Sequence, residues 1–128
     1  AGCLAHPDAC GFDAIVVDVY SSHASVPAHL TTVEFWRLLP RALANDGAVI
    51  VNLILDPRLR SPYARNLLAT IEAALGRCAV EVLNPTAPVA SNVLVACRPA
   101  VAESPPPPAA IYSDERNLTD RDRNLVGY

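Results

Sequence analysis

Two runs of β-branched and aliphatic residues constrain this chain most: Asp13–Tyr20, D-A-I-V-V-D-V-Y, and Ala48–Leu55, A-V-I-V-N-L-I-L. Each has the length of a strand and is apolar through its middle on both alternating faces, the pattern of a strand with helices above and below it. Between them, Thr31-Thr32-Val33-Glu34 has the spelling of a capping box, in which the Thr31 hydroxyl takes one orphan helical N–H and Glu34 reaches back to another. The helix expected there carries Phe35, Leu38, Leu39, Ala42 and Leu43 at spacings of three and four and ends at Asn45-Asp46-Gly47 in the left-handed geometry glycine permits. Pro40 falls inside it and predicts a bend. Ser61-Pro62 supplies an N-cap and a proline at the first position of a second helix, running to about Gly76. Cys78–Leu83 and Asn92–Cys97 are two further strand candidates, and the loop Asn84–Ala90 between them is short enough for an antiparallel pair.

The order strand, helix, strand, helix, strand, strand predicts an α/β fold: a mostly parallel sheet with helical crossovers and one antiparallel strand near its edge. Residues 1–12 read as the end of a preceding element, broken at His6-Pro7-Asp8, and residues 13–98 form the body of the sheet. Residues 99–111 are a Pro-rich spacer, stiffened by Pro105–Pro108, and residues 112–128 are a charged arm. The alternating Asp and Arg of that arm predict a solvated face or a segment lying on a partner. No internal repeat is present.

A chain of 128 residues that is 52% apolar can bury one core without staples. Cys3, Cys10, Cys78 and Cys97 form no C-x-x-C pair, and no His stands at zinc-ligand spacing, so reduced thiols, a cytoplasmic location and no metal are expected. Thirteen Asp and Glu outnumber ten Arg, for a net charge of −3, so no basic field exists to hold nucleic acid. No apolar run approaches the ~20 residues needed to cross a bilayer, and no leader opens the chain, so a soluble protein without a membrane partner is expected. Asn117-Leu118-Thr119 matches a glycosylation acceptor in spelling only. Lys and Met are absent, which points to a bacterial genome rich in G and C, and a start on Ala1 rather than Met points to a fragment or processed piece.

Ligands of open parallel sheets bind beyond the carboxyl ends of the strands, where loops converge on rigid roots. Asp18 closes the first strand and is followed by Val19-Tyr20-Ser21-Ser22-His23, while Asp56 follows the second in Asp56-Pro57-Arg58. Either carboxylate can be a turn or cap residue. Asp18 is nevertheless the candidate catalytic group, with Tyr20, Ser21, Ser22 and His23 as the candidate substrate-binding wall. His23 and His29 flank a loop of small residues and have the right pKa range for proton transfer, as would any exposed histidine. Ser21 and Ser22 lack the Gly-x-Ser-x-Gly turn that aims a nucleophile. No G-x-G-x-x-G and no P-loop is present, so the cofactor-binding residues are not identifiable in this chain.

The stretch F-D-A-I-V-V-D-V-Y-S-S-H-A-S-V-P-A-H-L-T-T-V-E-F-W (Phe12 to Trp36), followed by L-P-R-A-L-A-N-D-G-A-V-I-V-N-L (Leu39 to Leu53), resembles the spermidine synthase family. In that family a strand ending in V-D leads through a small-residue loop with P-A into L-x-T-x-E-F, a helix and a glycine turn before the next strand. The resemblance covers about residues 11 to 98. It implies the C-terminal half of a Rossmann-like fold of the S-adenosylmethionine methyltransferase type. The implied activity is aminopropyl transfer from decarboxylated S-adenosylmethionine, as co-substrate, to a small-molecule amine. The family's glycine-rich loop and ribose-binding acid belong to a first half that is not in these 128 residues.

By the same resemblance, Asp18 matches the aspartate that accepts a proton from the attacking amine. The family places a second aspartate in this loop (D-S-S-D-P), where Ser21-Ser22-His23 carries no acid, so the chain more nearly resembles the divergent spermidine synthase-like proteins. Ser113-Asp114-Glu115 loosely resembles a T-D-D-like stretch that packs back on the body in the family. A methyltransferase using S-adenosylmethionine, and a non-catalytic scaffold of the same fold, remain as alternatives. The bare edge of the first strand calls for a partner, either a homo-oligomer mate or the missing N-terminal half.

Overall fold

The computed structural model describes residues 11–20, 25–99, 113, 119 and 122. Strands β1 (Phe12–Val17), β2 (Leu43–Leu55), β3 (Cys78–Val82) and β4 (Ser91–Cys97) form one sheet in the order β1-β2-β4-β3. β1 pairs with β2 in parallel, and β4 is antiparallel to both β2 and β3. Three strands therefore run one way, and the single reversed strand lies second from an edge. This is the mostly parallel α/β sheet that the order of elements predicts, down to the antiparallel β3–β4 pair.

Helices α1 (Val33–Trp36) and α2 (Pro62–Leu75) pack on one face of the sheet. Alternation along β2 and β4 sends Val49, Val51, Leu53, Leu55, Val93, Val95 and Cys97 to that face, where they meet Trp36, Tyr63, Leu67, Ile71 and Leu75. Each large side chain so buried stabilises the fold by about 1.5–3 kcal/mol relative to exposure. The opposite face holds Ile50, Ile54 and Leu94, only half-buried, and Val16, which is 66% exposed. The two-sided apolar pattern of the strands thus meets helices on one side only among the described residues.

α2 forms as its sequence predicts. Ser61 accepts from the Ala64 N–H at 3.1 Å, Pro62 opens the helix, and Gly76 closes it at φ 81°, where a side chain would be strained. The first helix departs from expectation in two ways. Its cap is Thr32, which accepts from the Phe35 N–H at 3.4 Å, while Thr31 donates to the Ala28 carbonyl at 2.7 Å. It also stops at Trp36, because the Pro40 ring displaces the Trp36 carbonyl and offers no N–H, so the chain continues as a 3₁₀ turn over Leu39–Ala42.

β2 consequently starts at Leu43, five residues before the expected Ala48. Asn45-Asp46-Gly47 does not end a helix but lies in an irregularity of the β1–β2 pair, which moves from Phe12↔Leu43 to Ala14↔Ala48. Gly47 is needed there for space, since a Cβ would sit 2.8 Å from the Phe12 carbonyl oxygen.

The expectation of reduced thiols is corrected at Cys78 and Cys97, which are joined by a disulfide with Cα atoms 4.3 Å apart. They stand directly opposite each other on β3 and β4. Motif spacing along the chain is blind to that register, which brings two cysteines 19 residues apart within bonding reach. Cys3 and Cys10 lie outside the described residues. Among the described residues no helix is long and apolar enough to cross a membrane, and no cluster of three His, Cys, Asp or Glu could hold a metal.

The solvated reading of the charged arm is corrected at two positions. Thr119 and Asp122 are both 0% exposed. The Thr119 and Thr31 hydroxyls are 2.6 Å apart, and Asn66 Nδ2 donates to Asp122 Oδ2 at 2.6 Å. The two lie three residues apart and are both helical. Of Ser113-Asp114-Glu115 only Ser113 is described, and it is half-buried. Pro105–Pro108 lies outside the described residues.

Candidate functional site

The last β1–β2 partners are Val17 and Val51, so Asp18 and Asn52 emerge side by side where the strands separate. β1 ends there rather than at Tyr20, while β2 runs on to Leu55. The departing chain is tied back at once. The Tyr20 hydroxyl donates to the Asn52 carbonyl oxygen at 2.7 Å, and Asn52 Nδ2 donates to Asp18 Oδ1 at 3.2 Å. The far end of the loop is held by the Val26 N–H, which donates to the Tyr63 hydroxyl at 3.3 Å, and Tyr63 is itself buried in the first turn of α2. The result is a notch at the carboxyl end of a parallel strand pair, where ligands of such sheets bind.

The notch is rich in acceptors. Asp18 is exposed and offers a carboxylate, and Asn52 Oδ1 is buried with no donor among the described residues. A buried acceptor without a partner forfeits about 1–3 kcal/mol. Burial first, and the Asp18 charge second, push the Tyr20 phenol from 10.0 up to about 12. Tyr20 therefore keeps its proton, and its bond to β2, throughout the neutral range.

Tyr20 is expected to ionise well above an ordinary tyrosine, near pH 12 in an ultraviolet absorbance titration, and Asp18→Asn is expected to lower that value. Because the folded-state value is raised, the stability it contributes is complete below pH 10 and lost as pH rises through about 12. A Tyr20 midpoint that ignores Asp18→Asn would show that the two side chains do not share the notch.

Of the residues singled out by sequence, the structure brings Asp18 and Tyr20 together; Ser21, Ser22 and His23 lie outside the described residues. His29 sits exposed on the 3₁₀ turn Ala28–Leu30, with no link to Asp18 among the described residues. Asp56 is a cap: its oxygens accept from the Arg60 N–H at 2.8 Å and from the Ser61 hydroxyl at 2.5 Å. Asn52 was not singled out. Its signal is a lone polar residue in the run A-V-I-V-N-L-I-L, one position past the last partner of β1.

No family model matches the chain, and no curated protein matches it. A solved structure similar to it is that of a probable spermidine synthase from Corynebacterium glutamicum ATCC 13032, with 22% identity and a TM-score of 0.58. The match covers 92% of this chain and 46% of that one, so the chain spans about half the length of that protein. The likeness shows the fold: the chain carries a mixed α/β sheet, consistent with a Rossmann-like methyltransferase fold and similar to part of that structure.

Proposed function

We infer that this chain contributes the acceptor side of a spermidine synthase-like site that transfers an aminopropyl group from decarboxylated S-adenosylmethionine to an amine. The observation that carries the reading is the notch itself, where the Asp18 carboxylate and the donor-seeking Asn52 Oδ1 lie together beyond the carboxyl end of β1, on the flank of β2. In the transfer, the amine lone pair attacks the methylene carbon bound to the sulfonium sulfur. The C–S bond breaks with its electrons passing to sulfur, methylthioadenosine leaves, and the proton shed by nitrogen passes to Asp18. A carboxylate serves both as base and as counter-charge to the sulfonium.

The loop aspartate missing at Ser21-Ser22-His23 deprives a diamine of its second counter-charge. Asn52 Oδ1 replaces it with a neutral acceptor, which suits an amine whose far end is uncharged. On this reading the adenosyl group is held by the polypeptide half that the resemblance places ahead of residue 11, which would also pair along the edge of β1 that no described strand covers. Methyl transfer from S-adenosylmethionine is a second reading, favoured by the same lone acid, since a neutral nucleophile needs no site for two positive charges.

Calorimetric titration of these 128 residues, and of an amino-terminally extended form, with decarboxylated S-adenosylmethionine, S-adenosylmethionine and methylthioadenosine tests the reading. The extended form is expected to bind and to prefer the decarboxylated ligand, because the extra carboxylate of S-adenosylmethionine faces the Asp18 charge. Preference for S-adenosylmethionine selects methyl transfer, and binding of none of the three leaves a scaffold.

A further inference from the structure

A second concave site lies at the same end of the sheet, one strand further across. The loop that joins β2 to α2 and the loop that joins β3 to β4 enclose a groove of about 690 Å³, lined by Asp56, Arg58 and Arg60 on one side and by Pro85, Thr86 and Val89 on the other. That volume is within the range of small-molecule sites, about 300–1,000 Å³. Its charge is opposite in sign to that of the notch. Neither the Arg58 nor the Arg60 guanidinium has an ion-pair partner among the described residues, although the chain as a whole carries −3. The one carboxylate present, Asp56, is consumed by the Arg60 and Ser61 N–H groups and the Ser61 hydroxyl. Two cations therefore stand against one anion that is already fully hydrogen-bonded.

The loop is built to hold this arrangement. Leu59, between the two arginines, has φ 54°, a left-handed conformation that side-chain-bearing residues rarely adopt. Such a residue persists where its surroundings over-determine it. Here the Leu59 N–H donates to the Asp56 carbonyl at 2.9 Å and its side chain packs against the core, while Arg58 and Arg60 on either side line the groove. Pro57, Pro85 and Pro88 fix the backbone of both walls, which limits the ordering that binding requires.

We propose that this groove binds a small organic anion, its carboxylate or phosphate held by Arg58 and Arg60 and its apolar body lying along Pro85, Pro88 and Val89. Guanidinium groups bind planar oxyanions through paired hydrogen bonds, and the facing wall of proline and valine suits an aliphatic body. The site is independent of the proposed transfer reaction. Asp56, the first residue after β2, lies four residues beyond Asn52, about 13 Å at the ~3.3 Å rise of a strand.

Amide-resolved NMR titration of the 128-residue chain with hexanoate, hexyl phosphate and neutral hexanol tests the proposal, with Arg58→Gln, Arg60→Gln and Arg41→Gln compared by the same method. The expected result is saturable shifts at residues 56–61 and 84–90 with at least one anion, the tighter of the two identifying the headgroup, and weaker binding of hexanol. Arg58→Gln and Arg60→Gln are each expected to weaken the anion about tenfold, the worth of one charged hydrogen bond, while Arg41→Gln leaves it unchanged. Shifts that do not saturate with either anion, that hexanol reproduces equally, or that Arg41→Gln alters as much, overturn the proposal. Arg58→Lys and Arg60→Lys, which keep the charge and lose the paired geometry, serve as folded comparators and are expected to fall between wild type and the Gln variants.

Discussion

Trp36→Ala is expected to lower the stability of the chain by about 3–5 kcal/mol, a large part of the ~5–15 kcal/mol that a domain of this kind possesses. Trp36 is 0% exposed, and its indole is the largest side chain in the core. It meets Phe35 edge-on, with ring centroids 4.9 Å apart at 69°, and packs with the β2 and β4 side chains under α1. α1 has only four residues, of which Trp36 and Val33 are buried, so Trp36 is the largest anchor of the connection between the notch loop and β2. The indole Nε1 has no acceptor among the described residues, and its unmet hydrogen bond already counts against the fold. Trp36→Phe removes that donor and keeps most of the ring, so it is expected to cost far less than Trp36→Ala. Urea denaturation reads both, as a drop in midpoint at constant slope. A loss under about 1 kcal/mol for the alanine variant would mean that α1 does not pack on the sheet.

If the proposed transfer takes place at Asp18, Asp18→Asn is expected to slow it by about 10²–10⁴-fold, the usual worth of a positioned general base. The substitution keeps the shape of the side chain and its capacity to accept from Asn52 Nδ2, so the notch is preserved while the proposed base and its negative charge are lost. The effect should fall on turnover more than on apparent affinity for the amine, because proton removal is completed only in the transition state. A variant that turned over at the wild-type rate would remove Asp18 from the chemistry. A variant changed only in affinity would make it a binding group.

The sheet was legible because its strands and its hairpin are written locally. Asp13–Tyr20, Ala48–Leu55, Cys78–Leu83 and Asn92–Cys97 each announce a strand by composition, and Ser61-Pro62 announces α2 by its cap. What escaped depends on register or on distant packing. The Cys78–Cys97 bond follows from which residues face each other across β3 and β4. The burial of Thr119 and Asp122 depends on partners 88 and 56 residues away. Pro40 ends the helix that the sequence predicts it only to bend, and Leu43, at an apolar position of that predicted helix, instead opens β2. At the site, Asp18 was legible as a carboxylate at a strand end, whereas Asn52 acquires its place only from the pairing of Val17 with Val51.

The most direct measurement is mass-spectrometric analysis of an amino-terminally extended form incubated with decarboxylated S-adenosylmethionine and a panel of monoamines and diamines. The expected result is methylthioadenosine and an aminopropylated amine in equal amounts, with monoamines preferred, since the proposed site offers Asn52 rather than a second acid. Formation of neither product, from a preparation shown to be folded, would contradict an aminopropyltransferase-like site at Asp18.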